Sequence, residues 1–151
     1  VLEFNTRFGD PETQPLMARL RGDLVELCWA TATGQLDDVA LSFDSRAACC
    51  VVVCSKGYPG SYPKGLEIEG LEEAKSIERN PGEEIVIFHA GTARKGGKVV
   101  TNGGRVLGVT ALASDVARAS ELASLAASRI RFEGAFFRRD IGRTAEAAAS
   151  R

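Results

Sequence analysis

The chain has 151 residues, 44% of them hydrophobic and 26% charged, with a formal net charge of −1. That length can bury a core and accommodates one domain or two small ones. The near-zero charge argues against a nucleic-acid or membrane-surface binder, and no apolar run approaches the roughly 18 residues of a membrane span.

Glu3, Asn5 and Arg7 alternate with Leu2, Phe4 and Thr6. This alternation predicts an opening strand with Leu2 and Phe4 toward a core and the three polar side chains on the other face. A carboxylate and an amide oxygen two residues apart, beside a fixed cation, suit Mg²⁺ and a phosphate group. The alternative is an exposed strand face. The chain opens on this pattern without Met, and we expect it to be a piece of something larger.

Asp10 followed by Pro11 reads as a helix N-cap with proline at the first helical position. Leu16, Met17 and Leu20 recur at helical spacing until Gly22. Asp23 caps a second helix, with Leu24, Leu27, Cys28 and Thr31 as its apolar stripe and Gly34 as its end. Residues 36–46 are polar and irregular, a plausible boundary. Ala47–Cys54 is a buried strand. Residues 56–65 hold three Gly, two Pro and two Tyr and form a shaped loop.

Short strands are predicted at residues 66–68, 85–89, 99–101 and 106–112, a short helix at 71–77, and a turn at Asn80-Pro81-Gly82. Asn102-Gly103-Gly104 reads as a hairpin turn with glycines at positive φ. Asp115 caps a long helix whose stripe is Val116, Ala119, Leu122, Ala123, Ala126 and Ile130. Together these elements predict an α+β fold, an antiparallel sheet or small barrel with one packing helix.

The four cysteines, Cys28, Cys49, Cys50 and Cys54, form no Cys-x-x-Cys pair and stand far from His89, the only histidine. A zinc site is not expected. Three of the four lie in an apolar run, where thiols behave as small hydrophobes, and a reducing compartment follows. No signal-peptide pattern is visible.

Five segments resemble the C-terminal part of the glycinamide ribonucleotide synthetase (phosphoribosylamine–glycine ligase) family of the ATP-grasp superfamily. They are residues 2–14, Lys56-Gly57-Tyr58-Pro59-Gly60, Phe88-His89-Ala90-Gly91-Thr92, the run from Val100 to Leu107 that contains Asn102-Gly103-Gly104-Arg105, and Arg138-Arg139-Asp140-Ile141-Gly142. The resemblance runs to about Arg143 and leaves aside the tail and residues 76–84. It implies the end of an ATP-grasp domain over residues 1–41 and a small β-rich, barrel-like domain (a rudimentary hybrid motif) over 42–151.

The reaction implied joins glycine to 5-phosphoribosylamine at the expense of ATP, through a glycyl phosphate, in purine (IMP) biosynthesis. Glu3 and Asn5 match the family's ligands for Mg²⁺ or Mn²⁺, and Arg7 matches an arginine at the reacting phosphate. Asp10 is a helix cap or a holder of the substrate amine or of Arg7. Arg105 is a hairpin residue or a ligand of the ribose 5-phosphate. Tyr58-Pro59-Gly60 is structural or closes on substrate. His89 reads as a satisfied structural group rather than an acid or base, and Arg94, Lys95 and Lys98 as a solvated turn. Partners implied are ATP, glycine, 5-phosphoribosylamine and the remaining N-terminal domains of a cytoplasmic ligase, with no nucleic acid and no membrane. The family's adenine pocket is not found in these residues, so the piece alone is expected to be inactive. The alternative function is a non-catalytic structural or assembly subunit.

Overall fold

The structure, a computed structural model, describes residues 1, 2 and 4–142. Helix α1 (Thr13–Arg19) leads into a short strand β1 (Leu20–Arg21) and helix α2 (Leu24–Thr33). A 3-10 turn (Leu36–Asp38) follows, and β2 (Ser42–Phe43) pairs antiparallel with β1. Next come β3 (Ala47–Cys54), helix α3 (Leu71–Lys75), β4 (Glu84–His89), β5 (Thr92–Lys95), β6 (Lys98–Thr101), β7 (Arg105–Ala113) and helix α4 (Val116–Ala127).

The main sheet is antiparallel with order β3-β7-β4. Its central strand is buried continuously from Val106 to Ala113 because helices cover both faces. On one face, Leu107, Val109 and Ala111 join Val51 and Val53 against Leu122, Ala123 and Ala126 of α4. The alanines leave little between helix and sheet, so α4 lies close. Asp115 caps it by accepting from the Arg118 amide at 2.8 Å. On the other face Gly108 meets α1, where a β-carbon would stand 3.5 Å from Gln14 Cγ. The sheet therefore carries two packing helices, one more than the sequence pattern predicts.

Several expectations are met closely. Ala47–Cys54 is a strand with those bounds, and Asp23 caps α2 through the amides of Val25 and Glu26. The short helix and the turn at Gly82 are also present. All four cysteines are free thiols, Cys49 and Cys54 buried and Cys28 exposed.

Others are corrected. The described opening residues form no strand, and Leu2 and Phe4 are 104% and 87% exposed. A strand needs a neighbour for its backbone groups, and none of the described sheets reaches this segment. Helix α1 starts at Thr13, not at Pro11. Its N-cap is Glu12 with no side-chain cap bond, and the Thr13 hydroxyl and amide both bind the Gly9 carbonyl. The buried residue of α2 is Ala30, while Cys28 and Thr31 are exposed. Residues 36–46 are not wholly irregular, since they hold the 3-10 turn and β2. Residues 66–69 make isolated bridges to Val100 and Arg131 rather than a strand.

The largest correction concerns the hairpin. β6 pairs with β5, and the tight turn between them is Gly96-Gly97, with φ of 58° and 80°. Two positive φ values in a two-residue loop match the twist of the flanking strands. Asn102-Gly103-Gly104 instead carries the chain from that hairpin to the central strand of the other sheet. Neither of its glycines has positive φ. Their role is close approach: a β-carbon on Gly91 would fall 2.6 Å from both the Gly103 Cα and the Arg105 carbonyl oxygen.

Candidate functional site

Three loops meet where β7 begins. Residues 8–12 precede α1, residues 55–62 follow β3, and residues 102–104 lead into Arg105. Ser55 is fully buried and ties two of them together. Its amide donates to the Gly104 carbonyl at 2.8 Å and its hydroxyl to the Gly103 carbonyl at 3.0 Å. The Tyr58 amide turns back to the Ser55 carbonyl at 3.1 Å. This turn lays the Tyr58 ring on Gly104, where a β-carbon would come within 2.2 Å of Tyr58 Cδ2 and 2.8 Å of Tyr62 Cε1.

Arg105 projects between the other two loops. Its guanidinium carbon lies 5.8 Å from the Tyr58 ring centroid. On its other side Nη1 donates to the Asp10 backbone carbonyl, and Nε stands 3.6 Å from the Asp10 carboxylate. The two residues proposed from sequence to touch substrate, Asp10 and Arg105, are thus neighbours. The Asp10 carboxylate faces an arginine and caps no helix, and the N-cap position of α1 is held by Glu12. Both side chains are about half exposed, so the site is open to solvent. Burial pushes the nearby Cys54 thiol up, with Arg105 acting in the opposite direction.

Arg7 is exposed and donates to the Phe8 carbonyl at 3.2 Å. It packs beside Glu12 over Gly9, where a β-carbon would fall 2.3 Å from Glu12 Oε2 and 3.0 Å from Arg7 Nη1. Asn5 is exposed on the same segment. Glu3 lies outside the described residues. Among those that are described, no three His, Cys, Asp or Glu side chains gather at metal-ligand spacing. His89 is exposed and shares a hydrogen bond with Thr92 Oγ1 at 3.1 Å. Lys95 and Lys98 flank the Gly96-Gly97 turn as exposed residues, and Lys98 pairs with Glu67 at 2.7 Å.

Residues 48–144 match the family described as phosphoribosylglycinamide synthetase, C domain. The chain belongs to this family. Phosphoribosylamine–glycine ligase from Caldanaerobacter subterraneus is 48% identical over 141 residues, covering 93% of this chain and 32% of the relative. The ligase of the same name from Vibrio cholerae is 51% identical over 142 residues, covering 94% and 32%. The crystal structure of phosphoribosylamine–glycine ligase from Thermotoga maritima superposes with a TM-score of 0.67 at 33% identity, over 93% of this chain and 32% of that one. The chain therefore spans about a third of the length of these enzymes.

Within this C domain, neither the bonds of Ser55 to Gly103 and Gly104 nor the packing of Tyr58 on Gly104 is legible in the sequence. Ser55 closes an apolar strand just before a Gly-Tyr-Pro-Gly loop. Its fully buried hydroxyl needs a partner, and only the fold shows that the partner is the Gly103 carbonyl.

Proposed function

We propose that this chain is the C-terminal part of an ATP- and Mg²⁺-dependent ligase (Mn²⁺ also serving) that joins glycine to 5-phosphoribosylamine in purine biosynthesis. The observation that carries this reading is the meeting of Asp10, Tyr58 and Arg105 in a chain half-identical to phosphoribosylamine–glycine ligases. Residues 1–41 would end an ATP-grasp domain, and 42–151 would form the barrel-like C-terminal domain, with α1 as the seam between them. The ligase would work in the cytoplasm.

The glycine carboxylate takes the terminal phosphoryl group of ATP, giving glycyl phosphate and ADP. The amine of 5-phosphoribosylamine then attacks the acyl carbon, phosphate leaves and the amine loses a proton. Arg7 binds the phosphoryl group in transit, where its permanent charge offsets the developing anion. Arg105 receives the ribose 5-phosphate, and Asp10 orients Arg105 or the incoming amine. Glu3 and Asn5 carry hard oxygen donors of the kind that would hold Mg²⁺, and Asn5 is exposed. When bound, the metal neutralises phosphate charge.

An exposed apolar face supports a larger assembly. Val25 and Trp29 of α2 are 77% and 70% exposed one turn apart. Patches of this kind mark covered surfaces, and the remaining ligase domains, which hold ATP, are the proposed cover. The test is Arg7→Ala in the full-length ligase carrying this sequence. ATP-dependent ligation falls by roughly 10²- to 10³-fold while the melting temperature holds. Unchanged turnover overturns the assignment.

A further inference from the structure

The guanidinium of Arg105 is held from two sides. Asp10 supplies the carbonyl and carboxylate on one side, and the Tyr58 ring supplies the other. We propose that Tyr58 is a positioning residue that fixes the Arg105 guanidinium to receive a phosphate monoester. This inference rests on the reading of Arg105 given above.

An arginine side chain has many rotamers, and ordering it on binding costs entropy. A ring face that attracts the cation restrains it beforehand. Tyr58 can act in this way because it is itself fixed. Its amide is tied to Ser55, and its ring lies against Gly104, the residue that precedes Arg105. Any side chain at position 104 would displace the ring. The Ser55 bonds to Gly103 and Gly104 lock the same backbone from beneath. The stack and the Asp10 contacts occupy one ring face, Nη1 and Nε. Nη2 makes no hydrogen bond among the described residues, which leaves part of the fork for phosphate oxygens.

The test compares Tyr58→Leu, Arg105→Ala, the double variant and Tyr58→Phe in the full-length ligase, by steady-state kinetics in 5-phosphoribosylamine. Arg105→Ala raises KM more than about tenfold with kcat little changed. Tyr58→Leu raises KM roughly two- to fivefold, and Tyr58→Phe restores the wild-type value. In the Arg105→Ala background Tyr58→Leu adds nothing further. If Arg105→Ala leaves KM unchanged, the phosphate reading of Arg105 falls and the inference with it. If Arg105→Ala acts but Tyr58→Leu multiplies its effect, or Tyr58→Phe is as poor as Tyr58→Leu, only the positioning role falls. A protein with pentafluorophenylalanine at position 58 keeps the ring shape and removes its negative face, covering the case in which Tyr58→Leu does not fold. KM for it above that of Tyr58→Phe supports the stack, and equal values overturn it.

Discussion

Asp10 and Arg105 stand 95 positions apart in the chain and touch twice, through the Asp10 carbonyl and through its carboxylate at 3.6 Å. The contact joins the segment before α1 to the first residue of the central strand. Both side chains are substantially exposed, and an ion pair of this kind adds at most about 1 kcal/mol to stability. Its value is geometric, since it sets the direction of a cation at the rim of the sheet.

Gly104→Ala tests the packing under that cation. The new methyl would overlap the Tyr58 ring at 2.2 Å. Forcing extra atoms into a filled site costs about 1–3 kcal/mol, which urea denaturation will register as a lower midpoint. Removing the ring as well, in Tyr58→Ala/Gly104→Ala, gives less loss than the two single changes added together.

Leu122→Ala tests the core. Leu122 is 1% exposed and sits with Val51, Val109 and Ala126 between α4 and the sheet. Deleting its branch loses buried apolar contact and leaves a cavity, a destabilisation of about 2–5 kcal/mol. Thermal melting of this variant drops while the far-ultraviolet spectrum keeps its native shape.

Glu83→Gln tests the acid limit of stability. Glu83 accepts from Arg118 at 2.7 and 3.0 Å and from the amide and side chain of Asn80. The Arg118 bonds lead in lowering its carboxyl from 4.5 to about 2. A depressed folded value means that its stabilisation is complete above the unfolded value near 4.5. It is lost as pH falls through about 2. The variant is therefore less stable than wild type at pH 6, and the two melting curves converge toward pH 2. Asp44 is held well below the usual carboxylate range by Arg46 and Arg21, and it too loses its stabilisation as pH falls.

Local signals carried much of the fold. The apolar run Ala47–Cys54 became a strand because eight such residues are stable only where both faces can be covered. Asp23 and Asp115 capped their helices because each carboxylate stands at the N-cap, within reach of the first free amides. Asp10 bears the same local signal but its carboxylate faces Arg105, a competitor that the neighbouring sequence does not contain.

The glycines mark the same division. Gly96-Gly97 and Asn102-Gly103-Gly104 are both turn-like in composition. Pairing of β5 with β6 placed the tight turn at the first, and at the second the glycines answer the crowding of Gly91, Tyr58 and Tyr62.

By itself the sequence determined the α+β class, the main strands and helices, and the family resemblance, because periodicity, caps and motifs are properties of neighbouring residues. Tertiary structure alone decided that Asp10, Tyr58 and Arg105 come together and that Ser55 ties the loops around them. Those contacts join loops tens of residues apart, and they exist only once β3 and β7 pair and bring the loop ends together.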